Sequence, residues 1–139
     1  MAKNLVRVVL DTNILVSAIG FGGKPAEIIA SVLAEKIQAV TSPILLAELE
    51  EVLYKKLSLS KEAIDLTLEE IREEFTVVNP TKIIHVVEDE DDNRVLEAAV
   101  SANADYIVTG DSDLLRLKVF RKIVIITSDQ FIKEVTSRL

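Results

Sequence analysis

Four acidic residues, Asp11, Glu48, Asp92 and Asp111, stand where local pattern calls for apolar or turn residues. Glu48 is the sharpest case. Around it Ile44, Leu45, Leu49, Val52 and Leu53 recur as one face of a helix, and Glu48 falls in the middle of that stripe. Glu50 and Glu51 lie off the stripe and read as solvated charges. A carboxylate buried without a partner is costly, so such a break in pattern points to a site; a buried salt bridge is the competing reading. Asp92 repeats the pattern one turn ahead of Val95, Leu96, Ala99 and Ala102, although a first helical turn favours an acid in any case. Asp89, Glu90 and Asp91 crowd the same approach. Glu97 falls round the helix and is expected in solvent. Asp11 ends the run Val8-Val9-Leu10, and Asp111 and Asp113 follow Ile107-Val108-Thr109-Gly110, with Asp113 reading as a first-turn acid.

Carboxylates that converge repel one another, raise one another's proton affinity and titrate together. The natural counter-charge for an all-oxygen site is a hard divalent cation, Mg²⁺ or Mn²⁺, as one or two ions. Such ions activate water and neutralise charge on a phosphoryl group, so phosphodiester hydrolysis is the leading chemistry.

These acids need elements to gather them. Short β-branched runs at Val6–Leu10, Ala39–Thr41, Ile83–Val87, Tyr106–Thr109 and Ile123–Thr127 alternate with amphipathic stretches, which predicts βαβ units around a parallel sheet. Helices are expected at Pro25–Lys36, Pro43–Lys56, Lys61–Phe75, Asp91–Asn103, Asp111–Leu117 and Asp129–Arg138, opened by Ser42, Ser60, Asp91 with Asp92, and Ser128. Gly20, Gly22 and Gly23 read as a flexible loop after the first strand. The fold expected is a three-layer α/β/α sandwich with a mainly parallel sheet of four to five strands. Asp11 and Asp111 then lie at the carboxyl ends of strands, where open parallel sheets bind ligands.

At 139 residues and 49% hydrophobic content the chain closes one core, so residues 1–139 are expected to form a single domain. The absence of Cys excludes disulfides, thiolate metal sites and a catalytic thiol, and fits a cytoplasmic protein. Asp11 cuts the N-terminal apolar run short of a signal or membrane segment. A net charge of −7 excludes coating nucleic acid by bulk charge, so any such contact is local or bridged by cations.

Taken together the acids resemble those of the PIN-domain family of ribonucleases, which includes toxins of the VapC type. The resemblance rests on Leu10-Asp11-Thr12-Asn13, on Thr41-Ser42-Pro43 through Glu48-Leu49, on Asp92 ahead of Val95-Leu96 and Ala98-Ala99, and on the stretch from Asp105 to Leu115. It implies Mg²⁺ or Mn²⁺ dependence and cleavage of single-stranded RNA. Asp11 and Asp92 would then hold metal most directly, Glu48 and Asp111 would complete the site, and Thr12, Asn13, Ser42 or Thr109 would orient ligands, with Asp113 in support. It also implies a homodimer and, for toxin members, an antitoxin protein.

Other features stay secondary. His85, the single histidine, reads as a packed or edge residue. Lys24, Arg94, Arg116 and Lys118 are candidates for RNA contact, although the basic run from Arg116 to Lys122 reads first as solvated surface. Two rival functions remain: a haloacid-dehalogenase-like phosphatase, against which Asn13 counts because that chemistry needs an acid there, and a non-catalytic RNA- or protein-binding module of the same fold.

Overall fold

A computed structural model describes residues 4–139. Alternation dictates its centre. In strand β1 (Arg7–Leu10) Val8 and Leu10 face one core while Val9 faces another. The same division holds in β2 (Gln38–Thr41), β4 (Tyr106–Val108) and β6 (Ile123–Ile126), so the sheet is buried on both sides. With β3 (Thr76–Val77) and β5 (Val119–Phe120) it has six strands in the order β3-β2-β1-β4-β6-β5, all parallel except β5.

One face carries α1 (Thr12–Phe21), α2 (Gly23–Leu33), α3 (Pro43–Leu57), α4 (Lys61–Glu74) and α7 (Ser128–Glu134). The other carries α5 (Glu90–Ser101) and α6 (Ser112–Leu117). This is the expected three-layer sandwich. From β1 the chain builds outward to β2 and β3, then crosses through α5 to β4 on the opposite flank of β1. The carboxyl ends of β1 and β4 therefore form the topological switch point, the crevice where such sheets take ligands.

Three expectations fail, each for a physical reason. Gly20, expected in a flexible loop, lies instead in helix α1, which forms because burial of Ile14, Leu15 and Val16 overrides its weak helix propensity. Its glycines serve further on: Gly22 (φ +77°) and Gly23 (φ +67°) make the corner through which α1 meets α2 at 99°. Ile83–Val87 is not a strand. Its apolar run was misleading, since Ile84 alone is buried and β3 fills the sheet edge instead. The segment lies as an extended strap fastened to α5 by side chains. Glu97 accepts from the Ile84 amide (2.9 Å), and Asn93 Oδ1 accepts from the amides of Val86 and Val87 (3.0 Å each). Glu97, expected in solvent, is thus only 10% exposed and pairs with Arg94 at 2.9 Å.

Caps follow the sequence closely. Ser42 and Ser60 accept from the amides of Leu45 and Ala63. The last helix is capped by Thr127 in a reciprocal box with Gln130 rather than by Ser128, and α5 is capped by Asp89, ahead of Asp91 and Asp92.

Candidate active site

Parallel pairing of β1 with β4, with Leu10 opposite Val108, brings Asp11 beside Thr109. The Asp11 amide donates to the Val108 carbonyl (3.0 Å), and Thr109 Oγ1 donates to Asp11 Oδ2 at 2.7 Å. The same hydroxyl accepts from the Asp111 amide at 3.0 Å, so one buried threonine joins two acids. Asp11 occupies the N-cap position of α1, yet its side chain makes no capping bond. Its carboxylate stays available to the crevice.

Asp111 opens α6, accepting through Oδ1 from the amides of Asp113 and Leu114 at 2.8 and 3.2 Å. Asp92 enters from the first turn of α5. It is 7% exposed, and its Oδ2 has no hydrogen-bond partner among the described residues. A buried acceptor left open in this way fits a cation. Asp92, Asp111 and Asp113 each offer an oxygen, and these oxygens lie within 4.8 Å of one another, which suits a hard divalent ion. Asp113 thus stands inside the acidic group rather than only in a helical first turn.

Glu48 reaches the crevice from α3, half-buried between Leu45 and Leu49, and accepts from the Thr12 hydroxyl. The stripe around it is shifted, with Leu46 buried and Ile44 52% exposed. The electrostatics follow from crowding. Burial, then the charges of Asp111, Asp11 and Asp89, push Asp92 up to about 7. Burial, opposed by the Thr12 hydroxyl and reinforced by Asp91 and Asp11, raises Glu48 to about 7. Burial also raises Asp11 despite its bond from Thr109. Asp91, one of the acids that crowd the start of α5, is therefore a direct neighbour of Glu48; a second acid at a helix start beside Asp92 is its signal in the sequence.

The remaining candidates divide. Thr12 and Thr109 hold acids, whereas the buried Ser42 hydroxyl caps α3 and Asn13 is exposed. Lys24 pairs with Asp129. Arg94 is engaged by Glu90, Glu97 and the Ile84 carbonyl. Arg116 pairs with Asp113 at 3.0 Å, next to the acids, and Lys118 is exposed just past the end of α6. His85 is exposed against Glu90 at 3.2 Å, away from any core. Among the described residues no single helix is long and apolar enough to cross a membrane.

Known proteins share this fold. The chain resembles the solved VapBC2 of Rickettsia felis bound to a promoter DNA fragment, with a TM-score of 0.62 and 20% identity over 86% of this chain and 97% of that one. VapBC-1 of nontypeable Haemophilus influenzae gives a TM-score of 0.64 at 19% identity over 89% and 99%. PAE2754 of Pyrobaculum aerophilum gives 0.60 at 16% identity over 99% of each chain. These likenesses show the fold. In sequence, a Methanocaldococcus jannaschii protein, MJ1680, is 35% identical over 124 residues, 85% of this chain and 79% of the relative. Residues 7–113 match the family model described as PIN domain, and the chain belongs to that family.

Proposed function

We propose that residues 1–139 act as one nuclease domain that hydrolyses single-stranded RNA with Mg²⁺ or Mn²⁺. The observation that carries this reading is Asp92, with its buried Oδ2 unpartnered among the described residues and a carboxylate oxygen within 4.8 Å of oxygens of Asp111 and Asp113, at the sheet's switch point. Asp92, Asp111 and Asp113 would hold an ion, with Asp11 beside them. A bound ion would supply an activated water and neutralise charge on the scissile phosphate. Thr109 orients Asp11 and anchors the Asp111 backbone, and Thr12 orients Glu48. Glu48, with a proton affinity poised near neutrality, is suited to take up a proton at its carboxylate. Family membership removes the basis of the phosphatase reading.

The VapBC neighbours support a protein partner of antitoxin type. The apolar groove between α1, α2 and α4, lined by Leu15, Ile19, Ile29, Leu33, Ile71 and Phe75, offers it a surface. A homodimer is proposed on the exposed apolar residues of α3, Ile44 and Tyr54. A cytoplasmic location remains the expectation from the lack of Cys.

The test is cleavage of labelled single-stranded RNA with Mg²⁺, Mn²⁺ or chelator, by the parent protein and by Asp11→Asn and Glu48→Gln. Metal-dependent cutting lost in both variants is the expected result. Equal cutting by all three proteins overturns the site, and a lasting uncut RNA complex in Mn²⁺ turns the reading to a binding module.

A further inference from the structure

The strap that replaced the expected strand forms one wall of a cleft of about 250 Å³, lined by Val86, Val87, Glu88, Asp113, Arg116 and Leu117. Its opposite wall is α6. Asp113 belongs both to this cleft and to the acidic group, so the two are continuous. The lining matches the parts of a nucleotide. Val86, which is 47% exposed, with Val87 and Leu117 offers apolar surface to a base face. Arg116, whose exposed guanidinium pairs with Asp113 at 3.0 Å, offers its remaining donors to a phosphate, and the Glu88 carboxylate can accept from an exocyclic amino group.

Glu97 and Arg94 hold the Ile84 end of this wall, and Asn93 holds its Val86–Val87 end, the part that lines the cleft. Asn93 is wholly buried and uses all its bonding capacity: Oδ1 accepts from the amides of Val86 and Val87, and Nδ2 donates to the Val87 carbonyl (2.8 Å) and Glu90 Oε1 (3.2 Å). Helix α5 itself is seated by Val95, Leu96, Ala98 and Ala99, each buried in the core. Losing the Asn93 bonds therefore loosens the strap at Val86 and Val87, while Ile84 stays held by Glu97, Arg94 and the core, and leaves Asp92 in place.

We propose that the cleft between residues 84–88 and α6 is an RNA nucleotide subsite beside the acidic centre, and that Asn93 is the positioning residue that holds its wall. This rests on the nuclease reading. An aspartate at 93 keeps both acceptances but turns an acceptor toward the Val87 carbonyl and Glu90, so Asn93→Asp unfastens the Val86–Val87 end of the strap. Val86→Glu tests the wall directly by placing a negative charge where RNA would lie. Leu66→Glu, on α4 and 58% exposed, is the control for added charge elsewhere.

The experiment measures kcat, KM and Mn²⁺ affinity with a single-stranded oligoribonucleotide, and in parallel the binding of that oligonucleotide in Ca²⁺. Expected is a KM rise of about tenfold for Asn93→Asp and Val86→Glu, with kcat within about twofold of the parent. Mn²⁺ affinity stays unchanged in both, and Leu66→Glu behaves as the parent. Unchanged KM in Val86→Glu overturns the subsite even if Asn93→Asp fails to fold. Loss of Mn²⁺ affinity and kcat in Asn93→Asp at unchanged KM overturns the positioning role. Should the parent cut no RNA, the nuclease reading fails by itself. The Ca²⁺ arm then decides the subsite: weaker binding by Val86→Glu than by the parent supports it, and equal or undetectable binding by the parent and Val86→Glu overturns it.

Discussion

Asp92→Asn should make the metal-free protein more stable. The carboxyl is buried, its Oδ2 lacks a partner among the described residues, and burial with the charges of Asp111, Asp11 and Asp89 moves it from 3.8 to about 7. A folded-state value above the unfolded one means a contribution fully present below about pH 4 and lost as pH rises through about 7. At about 1.4 kcal/mol per pH unit the displacement sets a ceiling of about 4 kcal/mol. Solvent screening and the sharing of protons among neighbouring acids reduce the expected gain to about 1–2 kcal/mol. With an unfolding entropy of about 0.3 kcal/mol/K for this length, Asp92→Asn should raise Tm by about 3–7 °C at pH 8 in chelator and hardly at all at pH 4. Mn²⁺ at about 100 times its Kd adds about 2.7 kcal/mol, or about 9 °C, to the parent, and the variant should lose this gain. Calorimetric melts at the two pH values are the assay. A lower Tm for the variant at pH 8 in chelator, or a parent indifferent to Mn²⁺, would refute the reasoning.

Apparent Mn²⁺ affinity should climb between about pH 6 and 8, by up to tenfold per pH unit for each proton displaced, because Asp92 must ionise to bind; titration calorimetry in buffers of different ionisation enthalpy reads the protons released. Thr109→Val leaves the buried Asp11 oxygen and the Asp111 amide without their shared hydroxyl and should lower stability by about 1–3 kcal/mol, seen as a reduced urea midpoint at constant slope, with Thr109→Ser restoring it. Leu49→Ala, beside Glu48 and fully buried, should lose about 2–5 kcal/mol in the same measurement. Lys24→Ala should change stability by less than about 1 kcal/mol, its pair with Asp129 being exposed, as a urea melt would show.

Periodicity carried most of the architecture. Glu48 was legible because one charge interrupted an otherwise apolar face, and Asp11 and Asp111 because a strand must end where its apolar run ends. What stayed hidden depended on tertiary contacts that no local pattern announces. Nothing local distinguishes Ile83–Val87 from a strand, since its amides bond to α5 side chains instead of a neighbouring strand. Helix α1 carries β-branched residues and glycine, and only packing against the sheet reveals it. Asp113 is favoured by a helix start whether or not it helps hold a cation, so its type alone could not decide. Asn93 had a usable signal: it lies three residues before Leu96, on the buried face, where an amide needs partners for every polar atom.

The pairing of β1 with β4 also sets when this protein can act. Asp11 and the hydroxyl that orients it are separated by 98 positions in the chain, and Asp111 and Asp113 follow later still. Such distant pairings form slowly and only after the intervening chain exists. A nascent polypeptide still emerging from the ribosome therefore carries Asp11 and Glu48 but no complete acidic cluster. The acidic cluster is complete only once β4 and the residues after it have been made and β4 has slotted in beside β1.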